Sequence, residues 1–257
     1  MASFNHSHFN CCFQNWILQQ RQDLEELLNA LSTDSQNRYE ELKEKGIRHF
    51  EEYSERRALM APHDAASFMT PPWCSSFENA FLWVGGCRPS LSVRLVYAVG
   101  GSELEAQIDE FLGGVRKGNL AEISGHQLDL INALHCRTIK EEDKMSTRMA
   151  SIQANCMLSL EEIADEPLVT IAKNAGRVGE WSRELERAMV AHSVSLADIL
   201  ADADKLRLDT LKELMAILTP LQAVDFLAAA KKLHISMHEW GKRRDRQFGN
   251  PLITNII

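Results

Sequence analysis

The sequence predicts an all-α protein, a multi-helix bundle of antiparallel helices, and three observations support this fold class. Apolar residues recur at spacings of three and four through most of the chain, as on one face of an amphipathic helix. Two capping boxes, Ser75 with Glu78 and Thr219 with Gln222, mark helix starts, and Pro220 suits a first helical position. No segment alternates with the period of two that indicates a β-strand.

The first quarter of the chain predicts an arm and two helices. Residues 1–8 are polar, and we expect them to form a disordered arm. Apolar residues at helical spacing predict one helix from Phe9 to about Leu31 and another from about Ser35 to Met60. Charges of both signs alternate along the second helix, which is typical of a solvent-exposed face with ion pairs between successive turns.

The segment 71–101 is rich in aromatic residues and is predicted to form a junction in the core. One helix should begin after Ser75 and end at Gly85-Gly86, because glycine tolerates the left-handed conformation that closes a helix. A second should begin at Pro89 and end at Gly100-Gly101.

The remaining chain predicts further helices separated by glycine, proline and short polar linkers. A flexible linker is expected at residues 113–119, where three glycines fall close together. The predicted helices cover residues 102–112, 121–155, 158–175 with an interruption at Pro167, 181–203, 205–218 and 220–244.

Composition excludes several classes of protein. The chain has 257 residues, of which 45% are hydrophobic and 25% charged, as in ordinary globular proteins. Its net charge of −8 argues against nonspecific binding to nucleic acid or anionic membranes. No apolar run is long enough to span a membrane. Six cysteines without a C-x-x-C pair fit reduced, mostly buried thiols of a nuclear or cytosolic protein.

Three segments carry a resemblance to a known family. They are ENAFLWVGGCRPS at 78–90, ADADKLRLDTL at 201–211 and TPLQAVDFL at 219–227. In this order and spacing they resemble the delay-of-germination (DOG) domain family of plants, whose domain also forms the C-terminal part of TGA-type basic-zipper transcription factors. The segment KKLHISMHEWG at 231–241 makes the chain more similar to the stand-alone seed dormancy proteins.

The resemblance implies a DOG domain over residues 9–246, followed by a flexible tail at 247–257. It implies a non-enzymatic regulator of seed dormancy and germination in abscisic acid signalling, which binds type 2C protein phosphatases in the nucleus and also the cytoplasm. The alternative is a transcription-regulatory module that acts in sequence-specific DNA-bound complexes, as in TGA-type factors. Similarity to those factors also suggests self-association.

His234 and His238 form the most distinctive pair of candidate ligands. They lie four residues apart on a predicted helix, so both imidazoles leave the helix from the same side. From the residues alone, the pair fits either histidines at the edge of a core or two ligands of a metal or a haem. The resemblance implies that the protein binds haem, with His234 and His238 as ligands of the iron.

The first helix carries a candidate partner surface. The resemblance implies that its aromatic segment docks a type 2C phosphatase, which makes Phe13, Trp16 and Ile17 the expected anchors, because aromatic side chains dominate interface energetics. Cys11, Cys12 and Asn15 stand where dormancy members of the family carry acidic residues. The alternative is that Trp16 packs on the core.

Two charged clusters complete the survey. Asp202, Asp204, Arg207 and Asp209 are predicted to form a capping and ion-pair network at the junction of two helices. The basic run from Lys242 to Arg246 fits a nuclear import signal or a contact for an acidic partner. It is short, is interrupted by Asp245 and has no zipper, so we expect no direct DNA binding. No catalytic motif is present, and we expect no enzymatic activity.

Overall fold

The computed structural model describes residues 2–111, 120–157 and 183–248, and this part of the chain is an all-α bundle without a named strand. The prediction of the fold class is confirmed. The described residues form eight α-helices: α1 (Ala2–Ser32), α2 (Tyr39–Met60), α3 (Ala65–Met69), α4 (Ser76–Ala80), α5 (Ser90–Phe111), α6 (Gly125–Met157), α7 (Arg183–Ile217) and α8 (Pro220–Gln247). Three single-turn 3-10 helices are Gln36–Arg38, Ala61–His63 and Leu120–Glu122.

Within the described residues, the helices bury apolar side chains in four clusters, one of them much larger than the others. Helix α6 packs along α7, α1 packs along α8, and α2 contacts both α7 and α8. The largest core cluster draws buried residues from six helices, including Leu27, Leu42, Val96, Ile131, Leu214 and Phe226. None of the described helices is long and apolar enough to cross a membrane.

The first two helices differ from the prediction at their N-terminal ends. Helix α1 begins at Ala2 and therefore includes residues 2–8, which the sequence predicts to form an arm. Helix α2 ends at Met60 as expected but begins at Tyr39, because a 3-10 turn at Gln36–Arg38 takes the place of its first turn.

Two predicted helix ends are wrong. Helix α5 continues through Gly100 to Phe111. A Cβ at Gly100 would lie 2.9 Å from the carbonyl oxygen of Leu120, so this glycine permits a close backbone contact rather than ending the helix. Helix α7 is continuous from Arg183 to Ile217, so the predicted break between residues 203 and 205 does not exist.

Other predicted elements shift or lie outside the described residues. Helix α6 begins at Gly125 rather than Ala121, after the Leu120–Glu122 turn. The predicted linker at 113–119, the helix at 158–175 and the end of the tail at 249–257 are not among the described residues.

The segment after α4 turns back on itself instead of continuing as a helix to Gly85. Helix α4 ends at Ala80, and Trp83 and Gly86 then pair in a single β-bridge. Val84 and Gly85 have positive φ angles of 44° and 65°. Positive φ is rare for a β-branched residue such as Val84, so the surrounding structure must hold this turn in place.

Two buried arginines and one aspartate hold the turn. Asp204 accepts hydrogen bonds from Arg57 at 2.8 Å and from Arg207 at 2.6 Å. We call Arg57, Asp204 and Arg207 the arginine clamp. The main-chain carbonyls that the two arginines reach are those of Trp83, Val84, Gly85 and Cys87. Of the predicted helix-junction network, Asp204 and Arg207 thus belong to a buried clamp in mid-helix, whose arginines donate to carbonyls of the turn, while Asp202 and Asp209 form exposed ion pairs.

Candidate functional site

The predicted histidine site lies where α8 crosses the start of α4. His238 is only 1% exposed, and its Nδ1 lies 2.7 Å from Oε1 of Glu78. The other oxygen of Glu78 accepts from the backbone nitrogen of Ser75 at 2.8 Å and from its hydroxyl at 2.6 Å. The capping box of α4 is therefore joined to α8, and we call Ser75, Glu78 and His238 the histidine clasp.

The electrostatics of the clasp define the direction of its central hydrogen bond. Burial alone would raise the pKa of Glu78, but hydrogen bonds from His238 and Ser75 outweigh burial and hold this pKa below its usual range. Glu78 is therefore ionised at neutral pH and can only accept hydrogen bonds. It follows that Nδ1 of His238 carries a proton and donates.

Further contacts hold α4 against α8 beside the clasp. Asp245, itself buried, accepts a hydrogen bond of 2.8 Å from the backbone nitrogen of Ser76. A Cβ added to Gly241 would lie 2.1 Å from the hydroxyl oxygen of Ser75, so only glycine allows this approach. Phe13 packs edge-on against the His238 ring at 5.6 Å between ring centroids. Protein atoms therefore surround the histidine clasp on several sides, and α4 is held tightly against α8.

His234 lies one turn before His238 and is partly buried. Its pKa is lowered to about 4, mainly by burial. The nearby His238 and Lys231 also lower this pKa, whereas Glu78 acts to raise it. His234 is therefore neutral at physiological pH. A neutral imidazole is the form that can ligate a metal, so protonation does not prevent coordination.

The arrangement of the pair does not fit a haem. An axial ligand needs a free ring nitrogen facing an open slot, whereas His238 is buried between Glu78 and Phe13 and one of its nitrogens is occupied by the carboxylate. The cavity described below is lined by neither histidine. Haem ligation by His234 and His238 stays a prediction, and α4 would have to separate from α8 to permit it.

Cysteines and acidic residues do not form an alternative metal centre in the described ranges. No group of three or more His, Cys, Asp or Glu side chains there could hold a metal ion. The expectation of mostly buried thiols is wrong for the five described cysteines. All five are free and only Cys74 is buried, where burial raises its thiol pKa. The two adjacent thiols at Cys11 and Cys12 are exposed and partly buried, respectively.

The three anchors predicted on α1 are not equivalent. Phe13 and Ile17 are 7% and 4% exposed and pack on Cys74, so they belong to the core rather than to a free surface. Trp16 is partly buried and stacks in parallel on Tyr53 of α2, with ring centroids 4.4 Å apart. The alternative interpretation, that Trp16 packs on the core, therefore holds for the face of its ring, which lies against Tyr53.

Trp16 and Tyr53 nevertheless line a groove between α1 and α2, with a volume of about 290 Å³. We call this cavity the α1–α2 groove. Leu18, which is 57% exposed, and Arg56, which is also exposed, stand on its two sides. The other residues that line the groove are Cys12, Asn15, Gln19, Gln22, His49 and Glu52.

A buried ion pair lies beneath the groove. Lys231 of α8 donates to Asp23 of α1 at 2.9 Å, and His49 of α2 lies 3.0 Å from the same carboxylate. The Lys231 ammonium also sits 5.9 Å from the Trp16 ring centroid. Burial acts to raise the pKa of Asp23, but Lys231, His49 and Gln19 together lower it. These charged groups therefore pack against the inner side of the Trp16 ring and hold it in position.

Sequence reasoning missed both the clasp partner and this ion pair. The signal for Glu78 was present, because the capping box places its carboxylate at the start of α4. Nothing local connects Glu78 with His238, which follows 160 residues later, or Asp23 with Lys231, which follows 208 residues later. Only the packing of α1 and α4 on α8 brings these charges together.

Comparisons with known proteins show which family the chain belongs to. A family model described as seed dormancy control matches residues 23–98. Protein DOG1-like 3 of Arabidopsis thaliana is 34% identical, over 92% of this chain and 84% of the relative. Protein DOG1-like 1 from the same plant is 35% identical, over 92% of this chain and 89% of the relative. Transcription factor TGA2, also from Arabidopsis thaliana, is 25% identical over 86% of this chain and 59% of its own length.

These similarities define the class: a helical protein of the seed dormancy control type, related to TGA transcription factors. Within that class, the chain belongs to the family of the DOG1-like proteins.

Proposed function

We propose that this protein is a non-enzymatic regulator of seed dormancy and germination in abscisic acid signalling. The observation that carries the proposal is its similarity to DOG1-like proteins over nine-tenths of the chain. A link to abscisic acid is supported by Protein RESPONSE TO ABA AND SALT 1 of Arabidopsis thaliana, which is 26% identical over 92% of this chain. We place its action in the nucleus and also in the cytoplasm.

The proposed partner is a type 2C protein phosphatase, and the proposed docking surface is the α1–α2 groove. The groove offers the edge of Trp16, the exposed Leu18 and the guanidinium of Arg56 within one concave surface. Aromatic and arginine side chains are the residues that most often dominate binding energy at interfaces. Phe13 and Ile17 contribute by supporting Trp16 from the core.

Affinity measurements with a purified type 2C phosphatase test the docking surface. We expect Leu18→Asp and Trp16→Ala each to weaken binding at least tenfold, because they remove apolar contact from the groove. Leu28→Asp is the matched control, since Leu28 is also on α1 and 46% exposed but does not line the groove. Equal loss in both Leu variants would place docking elsewhere, and no binding by the wild type would reject the phosphatase.

Trp16→Ala needs a second readout because Trp16 also packs on Tyr53. Its free energy of unfolding should be measured beside its affinity. Leu18→Asp alters an exposed side chain, so its effect on affinity should come without loss of stability. Agreement between the two variants would separate docking from folding.

A second candidate function is a transcription-regulatory module, which the similarity to Transcription factor TGA2 favours. The basic run gives this candidate little support as a DNA contact. Lys242 and Arg246 project from the opposite side of α8 to Arg244, so the cations do not form one face. Binding to a DNA duplex at two salt concentrations tests it. A steep decrease of affinity with salt would indicate several phosphate contacts.

The proposed function does not require haem at His234 and His238. A titration of hemin into the wild type and the His234→Ala/His238→Ala variant, followed by the Soret band, tests the haem prediction separately. A sharpened and shifted band that only the wild type shows would establish ligation. Equal spectra would leave His238 as a partner of Glu78 alone.

A further inference from the structure

A line of exposed apolar side chains runs along α8 and onto α4. Trp240 is 48% exposed, Leu233 51%, Phe248 75% and Phe81 57%. Phe77 joins the two helices, with its ring centroid 4.4 Å from that of Trp240 and 4.8 Å from that of Phe81. We call these five residues the aromatic stripe. None of them lines the α1–α2 groove, so the stripe is a separate surface.

The stripe is held in shape by the contacts described for the histidine clasp. Gly241 and the Glu78–His238 hydrogen bond fix α4 directly on α8. This approach is what places Phe77 on Trp240. Large aromatic side chains with half of their surface exposed on a rigid framework are typical of binding sites.

The charges beside the stripe are mostly positive. Lys232 and Arg243 are exposed on one flank of α8, and Arg244 lies within the stripe, its guanidinium carbon 5.1 Å from the ring centroid of Phe248. The nearby carboxylates are already engaged. Glu239 pairs with Arg21 at 2.7 Å, and Asp245 is buried against α4. The exposed cations Lys232 and Arg243 therefore face a negative charge that approaches the stripe, and Arg21 offsets the charge of Glu239.

We propose that the aromatic stripe binds an acidic amphipathic helix of another protein. The apolar face of such a helix would lie against Trp240, Phe81 and Leu233. Its carboxylates would pair with Arg243 and Arg244. This is recognition of an amphipathic helix by an exposed apolar stripe, with cations beside it that select an acidic partner and speed its association. The chain carries a net charge of −8, so this locally basic surface stands apart from the rest of the protein.

The probe for the test is a fluorescein-labelled synthetic peptide of about 18 residues. Its leucine and tryptophan residues recur at helical spacing on one face, and glutamate fills the other face. The comparison peptide has the same apolar pattern with lysine in place of every glutamate. Binding to the full chain is followed by fluorescence anisotropy at two salt concentrations.

We expect the acidic peptide to bind at least tenfold more tightly than the lysine peptide. Trp240→Ala and Phe81→Ala should each weaken it at least tenfold. Arg243→Glu with Arg244→Glu should weaken it at least fivefold and reduce its salt dependence. Leu59→Ala is the matched control, because Leu59 is 75% exposed on α2 away from the stripe and should leave binding unchanged.

Three outcomes would overturn the proposal. Equal binding of the two peptides would show general adhesion to apolar surface, and absence of saturable binding would show that no such site exists. Sedimentation of the wild type as a dimer that Trp240→Ala dissociates would show that a second copy of the chain covers the stripe. Circular dichroism of each variant separates loss of binding from loss of folding, and Phe81→Ala preserves the test where Trp240→Ala does not fold.

Discussion

The arginine clamp holds the turn after α4 and the histidine clasp holds the start of α4 on α8, but the groups that accept their hydrogen bonds differ in chemistry. The clamp uses Arg57 and Arg207, whose guanidinium groups donate to main-chain carbonyls of the turn, and these acceptors do not titrate. The clasp uses Glu78 as its acceptor, a carboxylate that loses its charge once the solution is acidic enough to protonate it, although hydrogen bonds from His238 and Ser75 hold its pKa below the usual range.

The clamp is therefore a permanent anchor of the turn, whereas the clasp anchors α4 on α8 only while its carboxylate is ionised. The clamp must always be formed, because the turn it holds contains a valine with positive φ. The clasp is strong only while Glu78 is ionised, and it is the clasp that positions the aromatic stripe. We therefore expect protonation of Glu78 to loosen the α4–α8 contact, whereas the bonds from Arg57 and Arg207 to the carbonyls of the turn have acceptors that acid does not protonate.

Breaking the clamp should have the largest effect on stability. In Asp204→Asn the amide cannot compensate the two buried guanidinium groups, so we expect the free energy of unfolding to decrease by about 3–5 kcal/mol. Urea denaturation followed by circular dichroism measures this change. A decrease below about 1 kcal/mol would show that the clamp is not the main support of the turn.

Breaking the clasp should cost less. Glu78→Gln replaces a charged acceptor of three hydrogen bonds by a neutral amide, so we expect a decrease of about 2–3 kcal/mol at neutral pH. The same denaturation experiment provides the measurement.

The pH dependence of the Glu78→Gln effect checks its cause. The pKa of Glu78 is lower in the folded state, so its contribution is present above the unfolded pKa of about 4.3 and is lost as pH falls through the folded value. The difference between wild type and variant should shrink accordingly in acid. A difference that is constant with pH would point to packing instead.

How far the sequence predicts these two regions depends on how local their signals are. The capping boxes at Ser75 and Thr219 depend on residues three apart, and both form as predicted. A third box of the same type joins Ser124 and Gln127 at the start of α6 and could have been found in the same way. The fold class followed from periodicity along each helix.

The remaining features depend on which helices meet. Arg207 suggested a helix end because charged residues cluster around it. In the structure it is buried in mid-helix and donates to carbonyls of the turn at Trp83–Gly86. Gly100 suggested a helix end because glycine often closes helices, whereas here it permits the close approach of the Leu120 carbonyl. His238 suggested a metal or haem ligand because no residue near it in sequence identifies Glu78 as its hydrogen-bond partner. Tertiary packing decided each case, and no window of sequence contains that information.

Replacing His234 should change the pH dependence of the free energy of unfolding more than its value at neutral pH. This variant therefore extends the comparison of the clamp and the clasp to a neighbouring titratable group. Burial lowers the pKa of His234 to about 4 in the folded protein, below the value of about 6.5 in an unfolded chain. Between these values the unfolded state binds more protons, so the stability of the wild type decreases as pH falls from about 6.5 to 4.

We expect His234→Gln to flatten this slope, with a gain of roughly 1–2 kcal/mol relative to wild type near pH 4 that is absent at pH 7.5. Urea denaturation at a series of pH values measures it. The groups that face His234 are Glu78, His238 and Lys231, so Glu78→Gln should be examined at the same pH values. An unchanged slope would show that His234 remains hydrated.

The smallest effect is expected two residues from the largest one. Asp202, like Asp204, lies on α7 and pairs with an arginine, but in the Asp202–Arg148 pair the side chains are 50% and 45% exposed. Water already solvates these charges, so Asp202→Asn should change the free energy of unfolding by less than about 0.5 kcal/mol. Denaturation of Asp202→Asn beside Asp204→Asn compares one substitution on one helix in two environments. A similar loss in both would mean that the local charge of α7, and not the buried clamp, stabilises this part of the bundle.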